Sequence, residues 1–190
     1  MRAAWRGHAA VVRELVTAGA ALDQPDQQGF TALAAAACAG HIAVVAKLAQ
    51  AGAALDSTDS QQWTALMWAA DKGHTQTVQL LASLGARLDA RGSAGETAIL
   101  LAARNGHAEA ALALALAGAD PDSRDAAGVC PLMAAAASGH SSAVLALVAA
   151  GATLSLLPPQ LLQRAMQLLG HGCKALNSWA TAPFAQQAAC

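Results

Sequence analysis

Trp63 to Ala86 reads WTALMWAADKGHTQTVQLLASLGA, and every marker in it returns at one fixed interval along the chain. Gly-His stands at Gly7-His8, Gly40-His41, Gly73-His74, Gly106-His107 and Gly139-His140, a constant step of 33 residues (40 − 7, 73 − 40, 106 − 73, 139 − 106). Gly-Ala keeps the same beat at Gly19-Ala20, Gly52-Ala53, Gly85-Ala86, Gly118-Ala119 and Gly151-Ala152, and an Ala-Ala pair precedes every Gly-His. Three markers held in register specify a solenoid of stacked units, which is read by its surfaces rather than by an active-site cleft.

Within one unit the local physics is legible. Thr64 is an N-cap residue whose hydroxyl can accept from an orphan backbone N–H, and the pattern predicts a helix over residues 65–70 that stops at Gly73. A second helix is predicted over residues 75–84, with Val78, Leu81 and Leu84 on one face before Gly85 ends it. The stretch ARLDARGSAGE that follows is rich in turn formers and predicts a turn or hairpin-like finger before the next cap at Thr97. Residues 110–117, AALALALA, alternate as a strand would, but the register places Leu114 with Leu15, Leu48, Leu81 and Leu147 and predicts helix. Ala110 and Ala111 stand there in place of pairs such as Val44-Val45, so this unit is expected to contribute less core.

These residues resemble the ankyrin repeat, whose unit reads Asp-x-x-Gly-x-Thr-Pro-Leu-His-x-Ala-Ala-x-x-Gly-His, then a second helix with paired aliphatics, then Gly-Ala. Here Asp26, Gly29, Thr31, Leu33, Ala36-Ala37 and Gly40-His41 match, and later units follow with Thr64, Thr97 and Cys130 at the cap. The resemblance implies an all-α solenoid of helix-turn-helix units with turn fingers. It gives a partial repeat at 1–20, four full repeats at about 21–53, 54–86, 87–119 and 120–152, and a degenerate C-terminal helical cap and tail over 153–190. Departures from the pattern are specific: the Pro survives only at Pro131, the His of the Thr-Pro-Leu-His run is absent, Gly92 replaces the finger Asp, and Gln62 replaces the finger Gly. The chain opens inside a first helix, and residues 154–170 keep helical spacing while losing the repeat beat. A second short helix around Cys173 to Trp179 and a disordered stretch from Thr181 to Cys190 complete the expected architecture.

Composition narrows the function. Hydrophobic residues make up 55% of the chain, yet much of that is Ala and no run is long enough to span a membrane. A net charge of −1 without a basic run lacks the footprint that binding a phosphate backbone requires, so neither nucleic acid nor membrane is an expected partner. The cysteines show no C-x-x-C spacing and the start lacks a secretory signal, which predicts an intracellular, cytoplasmic protein. Repeated histidines in separate repeats sit too far apart to share a metal, since packed helices lie about 8–10 Å apart. No nucleophile set or phosphate loop stands on a compatible frame, so the reading is non-catalytic, with no cofactor and no metal.

The family resemblance implies that a protein partner docks on a concave face built from the fingers, the residue before the cap Thr and the exposed side of the first helix. Carried over, the candidate partner-binding residues are Trp5, Phe30, Trp63, Trp68, Asp71, Lys72, Arg91, Glu96, Arg104, Asn105 and Arg124. Four of the six aromatic residues fall on this set, and Trp and Arg are the types most enriched in binding hot spots. The expected function is a monomeric protein–protein interaction scaffold or adaptor. The alternatives are a targeting arm of a larger enzyme or ubiquitin-ligase assembly, suggested by the spacing of Leu161, Ala165 and Leu169, and an array with no dedicated partner.

Overall fold

The computed structural model describes residues 1–172 of the 190-residue chain. Two expectations, the helix at 173–179 and the disorder at 181–190, lie outside the described residues. The described chain is helical and contains no strand. Paired helices follow one another as α1 (Arg2–Trp5) and α2 (Ala9–Thr17), α3 (Ala32–Cys38) and α4 (Ile42–Gln50), α5 (Ala65–Asp71) and α6 (Thr75–Ser83). The series continues with α7 (Ala98–Arg104) and α8 (Ala108–Ala117), α9 (Pro131–Ser138) and α10 (Ser141–Ala149), and closes with a 3₁₀ turn at Leu154–Leu156 and α11 (Pro159–Gly172). Helices this short are marginal in isolation, so their stability comes from stacking on neighbours.

The first helices of successive repeats pack in one row, α1 on α3, α3 on α5, α5 on α7 and α7 on α9, and the second helices form a parallel row behind them. Small residues allow that approach: Ala36, Ala37, Ala69, Ala70, Ala102, Ala103, Ala135 and Ala136 are all fully buried. The larger core side chains, among them Leu33, Leu66, Leu81, Ile99, Leu101, Leu114 and Leu147, interleave between them. Residues 108–117 are indeed helical, and the two-residue alternation then has a visible consequence. Leu114 is fully buried while Leu116, two positions on and about 200° around the helix, is 77% exposed.

At the C-terminal end α11 packs on α9 and α10. Leu157, Ala165 and Leu169 are buried there, so the Leu161/Ala165/Leu169 spacing is used for packing rather than displayed as a recruitment box. Caps vary with local chemistry. Thr31 and Thr64 accept from the N–H of Ala34 and Met67 at 3.2 and 3.3 Å. Thr97 departs from the expected cap: its hydroxyl bonds Ser123 Oγ at 3.0 Å instead. Cys130 makes no side-chain cap, and Pro131 at the first helical position removes one of the orphan donors a cap would serve.

Three ladders, each repeated along the array, tie one repeat to the next. The ring Nε2 of His41, His74 and His107 lies 3.0 Å from the carbonyl oxygen of Trp5, Cys38 and Asp71, where the previous repeat's first helix ends. Asp23, Asp56, Asp89 and Asp122 each accept from a backbone N–H of the next repeat, at Ala54, Arg87, Asp120 and Thr153. Fingers join through Ser60 N–H to Gln28 O, Ser93 N–H to Gln61 O and Ala126 N–H to Ala94 O, all 2.9 Å.

The His ladder explains why the turn residue before it is Gly. Gly73 has φ 72° and a Cβ there would stand 2.5 Å from His107 Nδ1, with the same relation between Gly40 and His74. Gly85 has an equally left-handed φ of 88° but open space around it. Gly85→Ala should therefore cost only the left-handed conformation, roughly 1–2 kcal/mol. Gly73→Ala must also displace an imidazole that holds the next repeat, adding about 1 kcal/mol or more. Urea unfolding midpoints of the two variants check the difference, and equal losses would mean the imidazole carries no stacking energy.

Candidate protein-interaction surface

The fingers are built by one device used three times. Asp26 Oδ1 accepts from the N–H of Gln28 and Phe30, Asp59 Oδ1 from Gln61 and Trp63, and Asp125 Oδ1 from Ala127 and Val129, all at 2.8–2.9 Å. Each bond pair closes a turn and fixes the residue before the cap. The finger that begins at Gly92 lacks that carboxylate, and Glu96 Oε2 substitutes by accepting from Ala94 N–H at 3.0 Å.

Trp63 explains the missing Asp. It is only 8% exposed, and a Cβ on Gly92 would fall 2.7 Å from its Cδ1 and Nε1 and 2.7 Å from Glu96 Oε2. The indole therefore occupies the space that a side chain at 92 would need, and Trp63 packs between neighbouring fingers instead of presenting itself to a partner. This corrects its assignment as an exposed recognition residue: a flat, large indole at that register gains more by burial against a side-chain-free finger than by projecting into water. Gln62, beside it, is the one described non-glycine residue with positive φ, at 59°, and in the next finger Gly92 holds the position corresponding to the residues that crowd Gly29 and Gly95.

Among the described residues the aromatics form one continuous group. Trp5 and Phe30 have ring centroids 6.4 Å apart, Phe30 meets Trp68 edge-on at 5.1 Å, and Trp68 meets Trp63 at 4.7 Å. These residues come from three successive repeats. Trp68 is half-buried and oriented by its Nε1–H, which donates to Asp59 Oδ2 at 2.8 Å, while Lys72 Nζ lies 5.9 Å from its ring centroid. Trp5 is 51% exposed. A groove of about 580 Å³ opens between Trp5, Phe30 and Trp68, with Ala35 and Cys38 at its base and Asp26, Asp59, Gln28 and Gln61 on its finger side.

Charged candidates divide into two kinds. Asp71 is half-buried, takes Lys72 Nζ at 3.0 Å and Asn105 Nδ2 at 2.7 Å, and so joins two repeats. That hydrogen bond with Asp71 holds the Lys72 ammonium above the ordinary lysine range, and burial pushes the Cys38 thiol up. Arg91 and Arg124 are exposed but anchored: Arg91 Nη1 donates to Gly95 O and Arg124 O, and Arg124 Nη1 to Gly128 O at 2.8 Å. Arg104 is exposed and has no partner among the described residues. The sequence reading did not single out Asp26, Asp59 or Ala35 as parts of this surface. The 33-residue register of Asp26 with Asp59, and the contrast of Ala35 with Trp68, are the signals that carry them.

The geometry defines a class: a stacked helical-repeat protein whose finger face carries an aromatic groove. The family of ankyrin repeats (3 copies) matches residues 1–92 and 88–156, and the chain belongs to the ankyrin-repeat family. Ankyrin repeats generally mediate protein–protein interaction. No curated protein matches the chain in sequence. Among the described residues no helix is long and apolar enough to cross a membrane, and no group of three or more His, Cys, Asp or Glu side chains is placed to hold a metal ion.

If Trp63 packs between fingers, Trp63→Ala should destabilise the fold by about 3–5 kcal/mol, the range for a buried large-to-small change. Gly92→Asp should be costly in the parent chain and much less so in the Trp63→Ala background, where the space is free. Four denaturation curves measure this coupling, and additivity within about 0.5 kcal/mol would disprove the packing account.

Proposed function

We propose that the chain is a non-catalytic, intracellular adaptor that binds a protein partner on its finger face, with the groove between Trp5, Phe30 and Trp68 as the centre of recognition. The observation that carries this reading is an aromatic cluster in a chain with only six aromatic residues, with Trp5 exposed and Phe30 and Trp68 half-buried, assembled from three repeats around an open groove. Aromatics held rigid by neighbours lose little entropy on binding and dominate interface energetics. Lys72, Asp71 and Asn105 border the cluster and supply a polar rim. The free, buried thiols of Cys38 and Cys130 support an intracellular setting, where thiols stay reduced.

Trp5→Ala is the cleanest test, because half of that side chain faces water and its contribution to folding is small. With a partner captured from cell extract by the full chain, the variant should bind more weakly by about 30-fold, the equivalent of a hot-spot loss near 2 kcal/mol. Its unfolding should shift by no more than about 0.5 kcal/mol. Leu116→Ala, on the opposite row of helices, should leave affinity unchanged. Unaltered binding by Trp5→Ala together with loss in Leu116→Ala would move the docking surface to the other face.

A further inference from the structure

The groove exists because two repeats differ at one register position. Ala35 and Trp68 are equivalent residues of successive units, 33 apart (68 − 35). In the later repeat the Trp68 indole fills the space between first helix and finger and bonds the finger carboxylate of Asp59. In the earlier one Ala35 leaves that space open beside Asp26, and the neighbouring Trp5, Phe30 and Trp68 become its walls. The volume is enough for one large apolar side chain with its flanking backbone.

The charges on the rest of this face are sorted by exposure. In the third and fourth full repeats Arg91, Arg104 and Arg124 are exposed on it, whereas Glu96 and Asp125 are half-buried and accept backbone N–H groups of their own fingers, and the exposed Asp89 and Asp120 each accept a backbone N–H at the ladder beside the second helices. Asp71 is half-buried too and is satisfied by Lys72 and Asn105. Arg91 and Arg124 are steadied through one Nη atom each by carbonyl oxygens, and their other guanidinium donors have no partner among the described residues. Five donors in a fixed fork suit a carboxylate, and holding the fork in advance reduces the entropy lost on binding. At the groove the balance differs. Both oxygens of Asp59 are engaged, Asp26 Oδ1 accepts two N–H groups, and Arg2 lines the same opening, while the walls of the groove are the rings of Trp5, Phe30 and Trp68, which suit an apolar anchor.

Resting on the reading of the finger face as the docking surface, we infer that the partner presents an extended acidic peptide segment. Its apolar anchor enters the groove over Ala35 and its carboxylates meet Arg91, Arg104 and Arg124. Stacked repeats advance by about 10 Å and an extended chain by about 3.3 Å per residue. Arg91 and Arg104 stand two repeats beyond Ala35 and Arg124 three, so the acidic residues lie roughly six to nine positions from the anchor, all to one side of it.

Selection of random twelve-residue peptides displayed on phage against the full chain tests this, followed by affinity measurement with the selected synthetic peptides. The expected peptides carry one aliphatic or aromatic residue with Asp or Glu about six to nine positions away. Their affinity should fall at least tenfold in Ala35→Trp, which copies the Trp68 arrangement and plugs the groove, and severalfold in Arg104→Glu. Melting curves establish that Ala35→Trp folds. If it does not, Trp5→Ala and Arg104→Glu decide the matter. Peptides with Lys or Arg at the anchor that still lose binding in Ala35→Trp would overturn the acidic chemistry while leaving the finger face as the docking surface. Peptides indifferent to Ala35→Trp, Trp5→Ala and Arg104→Glu alike would overturn the docking surface as well. Absence of any enriched peptide would overturn the inference.

Discussion

An imidazole donating to a carbonyl oxygen one repeat away is the contact on which the rest of this array depends. A carbonyl can only accept, so Nε2 of His41, His74 and His107 must carry the hydrogen that lies 3.0 Å from Trp5, Cys38 and Asp71. The ring satisfies a carbonyl at the end of the preceding first helix, and it does so at three successive interfaces at the same distance, with Asn105 Nδ2 also donating to the carbonyl of Asp71. Because the ring passes over the preceding turn, that turn must be glycine twice over, for its left-handed φ and for its lack of a side chain. The Asp ladder at 23, 56, 89 and 122 repeats this logic at the other end of the second helix.

Fixing the register at both ends of the helix pairs that carry His41, His74 and His107 leaves the third side, the fingers and the exposed part of the first helices, free to vary without loss of stacking. That freedom is where the functional differences lie. A Trp at 68 and an Ala at 35 create a groove; a Trp at 63 excludes the Asp from 92, and Glu96 then closes the turn from the opposite end. None of these changes touches the ladders, so the aromatic surface is carried on a frame that does not depend on it. Fully buried Ala-Ala pairs allow first helices from adjacent repeats to sit close enough for Trp5, Phe30 and Trp68 to meet across repeat boundaries.

The architecture was legible because it is periodic: Gly-His, Gly-Ala and Ala-Ala locate the turns, helix ends and core independently of any one residue. The register even overruled the strand-like alternation at 110–117. What escaped the sequence was anything decided between repeats. The position of Trp63 before the cap suggested display, but its fate depends on Gly92, 29 residues on (92 − 63), and only stacking brings the two together. Thr97 occupies the cap position of Thr31 and Thr64 yet bonds Ser123 of the next finger. Arg91 and Arg124 were visible as surface cations, while their attachment to finger carbonyls required the fold.

The state of the imidazoles tests the stacking account most directly. Long-range proton–nitrogen correlation spectra of the ¹⁵N-labelled chain near neutral pH resolve which ring nitrogen of a neutral histidine carries hydrogen. The account predicts that His41, His74 and His107 are locked with hydrogen on Nε2. Rings of these three residues found with hydrogen on Nδ1, or averaging freely between the two forms, would contradict it.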